Sequence, residues 1–248
     1  MSANINLAYY QKEDWDEFLK IIDDRENVHD NWESWLIDYM KLKNNMKNIF
    51  EINQHKNRND YSLEFDRIAK EILNSYILKT PESEYKIKEI EFYYFLNNYH
   101  MDFYCHKDMR QKLNSQLYFH RFKYPEKYRN KRQKGIDLTF GLNNSFGGIL
   151  IRLLQNIKTQ KYITGIGNIT NQILEDINGA ETITKIYKQN ENVFSDNSII
   201  KLIKSENEKS NIYKKQRIGL NLKKLDTDMF FLNAKYNYFT YPIIEKVK

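Results

Sequence analysis

Across residues 61–93 the spacing of apolar side chains changes from every third or fourth residue to every second, and Thr80-Pro81 stands at the change. Tyr61, Phe65, Ile68, Ile72 and Tyr76 form one helical stripe, and Trp32, Trp35, Leu36, Tyr39, Leu42, Met46 and Ile49 form an earlier one. Each predicts a helix with a single buried face, within a helical stretch over 14–78. Asp30 and Asp60 occupy the N-cap positions, and the polar run Ile52–Asn59 reads as the loop between the helices. The Trp and Tyr residues of these stripes read as core. Proline stops the helical pattern, and Tyr85–Tyr93 then alternates with the two-residue period of a strand. Leu117–Phe122, Ile136–Phe140, Gly148–Leu154 and Gln216–Leu222 are further strand candidates. Asn168–Asp176 reads as a short helix, and Ile199–Ile203 fits either a helix or a strand. A chain that shifts from helices to strands predicts an α+β domain, here over 61–248, with a helical N-terminal extension over 1–60.

The 248 residues suffice for one or two domains, and 41% hydrophobic with 15% aromatic residues excludes a disordered chain. No apolar window approaches the roughly 18 residues of a membrane span, and the N-terminus lacks the pattern of a secretory signal. A soluble intracellular protein is expected. Cys105 is the single cysteine, which excludes an internal disulfide and a zinc site built on several thiolates. The net charge of +6 favours an anionic partner. The abundance of Asn, Lys, Ile and Tyr, all with AT-rich codons, offers a second account of the lysine excess.

Glu89 and Glu91 lie two apart on a strand and share a face, opposite to Ile90 and Phe92. A carboxylate beside a run of aromatics loses solvent, which suits it to accept a proton from water. The same residues with Lys86 and Lys88 also fit a solvated edge-strand face. His100, His106 and His120 follow, but their spacing matches no metal-ligand motif, and no metal is expected. Lys123, Lys127, Arg129, Lys131, Arg132 and Lys134 alternate with Tyr124 and Tyr128 between two strand candidates. Such a loop fits phosphate contacts with base stacking, and equally a solvated turn. Lys214, Lys215 and Arg217 form a smaller basic group. Gly165-Ile166-Gly167 reads as a turn before a helix.

Taken in order, the segments from Phe65 to Tyr241 resemble the methylpurine (3-methyladenine) DNA glycosylase family. Asp66–Leu73 resembles its opening helix, and Ile87–Tyr93 resembles its strand of pattern I-V-E-x-E-A-Y. Asp102–His106 resembles the aspartate and histidine that follow. Gln116–His120 stands where the family has a Tyr-Val-Tyr strand, and Gly148–Leu154 where it has V-L-I-R-A. Gly165–Leu174 resembles its G-P-x-x-L-x-x-A-L helix, Gln216–Leu220 its P-R-I-G-I, and Asn237-Tyr238-Phe239 stands near its R-F-Y. The resemblance implies a curved antiparallel sheet and a monomeric enzyme on double-stranded DNA, cytoplasmic or at the nucleoid, or nuclear in a eukaryote. Such an enzyme flips a modified purine from the duplex and hydrolyses its N-glycosidic bond, without a cofactor. Carried over position by position, Glu91 activates the water, Tyr93 stacks on the base, His106 hydrogen-bonds it and Arg152 supports the site. Lys131, Arg132, Lys134, Lys215 and Arg217 are the DNA-backbone candidates.

Three positions depart from the family pattern. His120 stands in place of the second stacking tyrosine. Arg121-Phe122-Lys123 lacks the Tyr-Gly of the intercalating hairpin, which leaves Phe122 and Tyr124 as wedge candidates. Asp137 lies in the strand that supplies a base-discriminating asparagine, so it bears on which base is accepted. No lysine is marked as a covalent nucleophile, so strand cleavage is not expected. The competing expectation is a nucleic-acid-binding protein on the same scaffold without catalysis, and after it an enzyme of other small-molecule chemistry.

Overall fold

The computed structural model describes residues 49–53, 55, 57–128, 133–205 and 209–240. Cα proximity divides the chain between Lys47 and Asn48, and every described residue lies in the second unit. The stripe from Trp32 to Met46 and the N-cap position Asp30 lie outside the described residues.

Helix α1 spans Tyr61–Ser75 and buries Tyr61, Phe65, Ile68 and Ile72 of the stripe read from the sequence, together with Ala69. Asp60 makes no side-chain cap; Asn57 instead accepts from Asn59 N at 3.0 Å and opens a 3-10 turn over Arg58–Asp60. The segment before it packs on α1: Phe50 is fully buried, and Arg67 donates to the carbonyl of Ile49 at 3.0 Å. The helix ends three residues short of the sequence expectation, because Tyr76 turns extended and starts strand β1, Tyr76–Lys79. That tetrapeptide is hydrogen-bonded on both sides, and sheet pairing outweighs the helical spacing of Tyr76.

The remaining strands are β2 Glu84–Leu96, β3 His100–Met101, β4 Asn114–Phe119, β5 Ile136–Phe140, β6 Ser145–Asn156, β7 Tyr162–Thr164, β8 Lys201–Lys204, β9 Tyr213–Lys215 and β10 Asn237–Phe239. Among the described residues they form one open sheet with the main order β4-β5-β6-β2-β1-β8, and β10 pairs both β2 and β9. Every pairing is antiparallel. Among the described residues the helices are few: α2 Pro125–Tyr128, α3 Ile166–Asp176, α4 Glu181–Lys188 and α5 Phe230–Asn233 stand beside α1. The fold is therefore mixed α+β. Gln216–Leu222 is not a strand, since Gly219 takes a φ of +76° and Arg217 is drawn into the interior. Ile199–Ile203 resolves as the strand β8.

Strand β2 carries the feature that positions the site. Ile87 pairs with Leu154, Glu89 with Leu153 and Ile90 with Ile151, so Lys88 is an additional residue on β2 and Arg152 one on β6. The first bulge flips the side-chain parity. Tyr85 and Ile87 before it, and Ile90, Phe92, Tyr94 and Leu96 after it, all enter the same core with α1, α3 and α4. Phe65 of α1 stacks on Phe92 with ring centres 4.7 Å apart. Glu89, Glu91 and Tyr93 are left on the opposite face.

Candidate functional site

On that opposite face a cleft of about 370 Å³ is lined by Tyr93, Tyr104, His106, Gln111, His120, Arg121, Gln133, Asp137, Leu150, Arg152, Ile166 and Ile218–Leu220. Neighbouring strands supply Tyr93, Asp137, Leu150 and Arg152, and the segments after β3, β4 and β9 supply most of the walls.

Glu91 lies below this cleft and is fully buried. Its Oε2 accepts from the Tyr93 hydroxyl at 2.9 Å and from an Arg152 guanidinium nitrogen at 3.2 Å. Its Oε1 accepts from the Ile218 backbone N–H at 2.7 Å and from Asn237 Nδ2 at 2.9 Å. Four donors match the acceptor capacity of a carboxylate and compensate its burial. The β6 bulge aims Arg152 at Glu91, and the pairing of β10 with β2 puts Asn237 directly opposite it. Asn237 Nδ2 also donates to Glu89 at 2.8 Å, so one amide holds two carboxylates. Neither glutamate faces solvent, and the solvated edge-strand reading is set aside: β2 is a central strand.

Tyr93 lines the cleft, and the guanidinium of Arg217 lies 4.5 Å from its ring centre. Burial first, and the Glu91 charge next, push the Tyr93 phenol well above its ordinary pKa. Arg217 is not a surface group. Its side chain is fully buried, bonded to both oxygens of Asp102 and to the carbonyls of Phe92 and Phe231. Burial acts against its charge, and Asp102, with Tyr93 and Glu91 after it, more than offsets that, so its pKa is raised. Arg217 thus ties the segment after β9 to β2 and is not a DNA-backbone contact.

His120 Nε2 lies 2.6 Å from Asp137 Oδ1, and Gln111 Nε2 donates to Asp137 Oδ2 at 3.1 Å. His106 packs edge-on to His120 with ring centres 4.5 Å apart, and its Nδ1 lies 3.2 Å from the Tyr118 hydroxyl. Part of the His106 ring is open to solvent, yet the crowded cleft wall and then His120 lower its pKa to about 4. His106 is therefore neutral near pH 7.

The other sequence candidates scatter. Lys131 and Arg132 lie outside the described residues. Lys134 is buried with its ammonium on Asn171, because the chain entering β5 runs beneath α3; it is not an exposed phosphate contact. Lys215 is half-buried and paired with Glu89 at 3.0 Å. Phe122 packs edge-on against Tyr128 and Tyr187, at 5.2 and 5.5 Å, and is half-buried, so it is not free to act as a wedge. Tyr124 is 62% exposed. Among the described residues no group of three His, Cys, Asp or Glu is placed to hold a metal ion, and no helix is long and apolar enough to cross a membrane. The sequence reading missed Gln111, Tyr104 and the clamp from Asn237. The Asn-Tyr-Phe triplet near the chain end carries a signal for Asn237, and nothing local marks Gln111.

No protein-family model matches the chain. Over 196 residues it is 33% identical to "Uncharacterized protein L759" of Acanthamoeba polyphaga mimivirus, a match covering 70% of this chain and 84% of the viral protein. With that identity over most of both chains, the protein belongs to one family with this mimivirus protein.

Proposed function

We propose that the protein is a monofunctional DNA glycosylase, with the fold of the methylpurine DNA glycosylases, that accepts a modified purine flipped out of duplex DNA and hydrolyses its N-glycosidic bond. The observation that carries this reading is a fully buried carboxylate, Glu91, bonded to Tyr93 and Arg152 where both line a cleft that also holds His106, His120 and Asp137. A flipped base stacks on the Tyr93 ring, and the water that attacks C1′ sits at Glu91 Oε2. The Tyr93 hydroxyl occupies that oxygen, so it yields its place to the water when the base enters. Stacking of the base offsets the few kcal/mol needed to unstack it, most easily at a lesion that pairs badly. Arg121, Lys123 and Lys127, exposed beside the cleft, contact phosphates, and Tyr124 is the side chain free to fill the emptied stack.

The filled hydrogen-bond shell of Glu91 favours one competing reading, nucleic-acid binding without catalysis. Base release decides between them. Wild type should liberate free purine from alkylated or deaminated duplex DNA, and Glu91→Gln should lose about 100-fold or more, the scale of general-base catalysis, while still binding DNA. Binding without release by wild type would leave the non-catalytic reading. Equal release by the variant would make Glu91 structural.

A further inference from the structure

Beside the cleft, and sharing Arg121 with it, a pocket of about 200 Å³ is lined by Arg121, Lys123, Tyr124, Lys127 and Tyr128. Three of these side chains are cationic and none is acidic. Glu126, the carboxylate next in sequence, lines a separate cavity with Glu175 and Glu181, so neighbouring residues of α2 carry opposite charges to different cavities. Among the described residues Lys123 and Lys127 are exposed and have no ion-pair partner. Arg121 is aimed by its surroundings: its backbone stands in the left-handed region at φ +55°, its N–H lies 3.3 Å from the Tyr118 hydroxyl, and Gln133 holds its guanidinium. Tyr128 is buried edge-on against Phe119 and Phe122, which makes one wall of the pocket a packed aromatic surface.

Cations that converge on one pocket suit a concentrated charge better than a line of charge. Cations next to other cleft residues are drawn onto the protein itself: Lys107 lies over the Phe95 ring at 4.5 Å, Arg110 lies over Tyr187 at 3.3 Å, and Lys223 donates to the Phe103 carbonyl at 2.6 Å. Positive charge beside the cleft is thus gathered at the pocket that Arg121, Lys123 and Lys127 share. An internal phosphodiester brings a single negative charge, whereas a phosphomonoester brings about −1.5 to −2 near pH 7 and three terminal acceptor oxygens. One guanidinium fork and two ammonium groups match the monoester, and the aromatic wall strengthens each contact by lowering the local dielectric.

We propose that this pocket binds a phosphomonoester, and that cleft and pocket together take a free purine nucleoside monophosphate, with the base against Tyr93 and the phosphate among Arg121, Lys123 and Lys127. Placing the purine in the cleft rests on the glycosylase reading; the phosphate site does not. Arg121 lines both spaces and joins the two halves of the ligand. Cavities of about 370 and 200 Å³ together fall within the range of small-molecule sites.

The test is calorimetric titration of the full chain, at about pH 7.5 where the monoester is close to a dianion, with 2′-deoxyinosine and with its 3′- and 5′-monophosphates. One of the monophosphates should bind about tenfold or more tightly than the nucleoside. Lys123→Ala combined with Lys127→Ala should bring that monophosphate down to the affinity of the nucleoside. Lys185→Ala combined with Lys188→Ala removes the same charge from exposed positions of α4 and should leave the difference in place, and thermal melting confirms that both double variants are folded. Monophosphates that bind no more tightly than the nucleoside, or an advantage that both double variants lose equally, would overturn the inference. Base release from duplex DNA by such a protein would leave the glycosylase reading standing. A monophosphate advantage in a wild type that releases no base would keep the phosphate site and overturn the glycosylase reading instead.

Discussion

His100 illustrates how a single buried side chain couples this fold to pH. Its ring lies among Tyr61, Phe65, Phe231 and Tyr236, donates from Nδ1 to the Tyr94 carbonyl at 2.8 Å, and accepts at Nε2 from the Tyr236 hydroxyl at 3.0 Å. Those partners fit the neutral imidazole, and burial lowers the pKa to about 4. Between about pH 4 and 6.5 the unfolded chain binds the additional proton, so stability rises with pH across that window and is lost as pH falls through it. At about 1.4 kcal/mol per unit the loss amounts to about 3 kcal/mol. Urea unfolding at pH 7 and pH 4.5 should show a larger drop for wild type than for His100→Gln, and an equal drop would assign the acid sensitivity to carboxylates. At this scale Glu91 and Tyr93 were legible as neighbours on one strand face, since strand periodicity alone requires it. The destination of His120 was not: its partner lies 17 residues on, in the next strand, and only the pairing of β4 with β5 brings the two together.

Among elements, the segment Gln216–Leu222 depends on Arg217 for its course. Four hydrogen bonds from its guanidinium fasten it to Asp102 and to the carbonyls of Phe92 and Phe231. Arg217→Met should leave Asp102 buried without a counter-charge and lower stability by about 3–5 kcal/mol in urea unfolding. Adding Asp102→Leu should recover part of that loss, because removing both charges of a buried pair costs far less than removing one. No recovery would show that the carbonyl contacts, and not the ion pair, hold the segment. Alternation of Tyr85 to Tyr93 was enough to predict β2, yet its bulge was visible only as a slip. Ile87 and Ile90 are three apart, and apolar positions that change phase by one residue mark the place where a strand must take in an additional residue to keep one buried face. Gln216–Leu222 reads as a strand by composition, but the positive φ of Gly219 and the buried guanidinium are tertiary facts that no local spacing encodes.

For the whole molecule, a net charge of +6 matters only through where the cations stand. Lys134 and Arg217 are consumed inside the fold, while Lys123 and Lys127 are exposed beside the cleft. Replacing both by alanine should reduce the slope of log affinity for duplex DNA against log salt by about 0.9 for each phosphate contact removed. An unchanged slope would show that Lys123 and Lys127 take no part in the proposed contact with DNA. The clamp on Glu91 has a consequence in time as well as in space. Asn237 follows Glu91 by 146 residues, and a ribosome adding about 5–20 residues per second needs roughly 7 to 30 s to cover that distance. Through that interval Glu89 and Glu91 have emerged with neither their amide nor the strand that pairs their edge, so the nascent chain holds its most costly carboxylates in water until translation has passed β10. A chain terminated shortly before Asn237 would contain all the cleft-lining residues and still be unable to bury the carboxylate they surround.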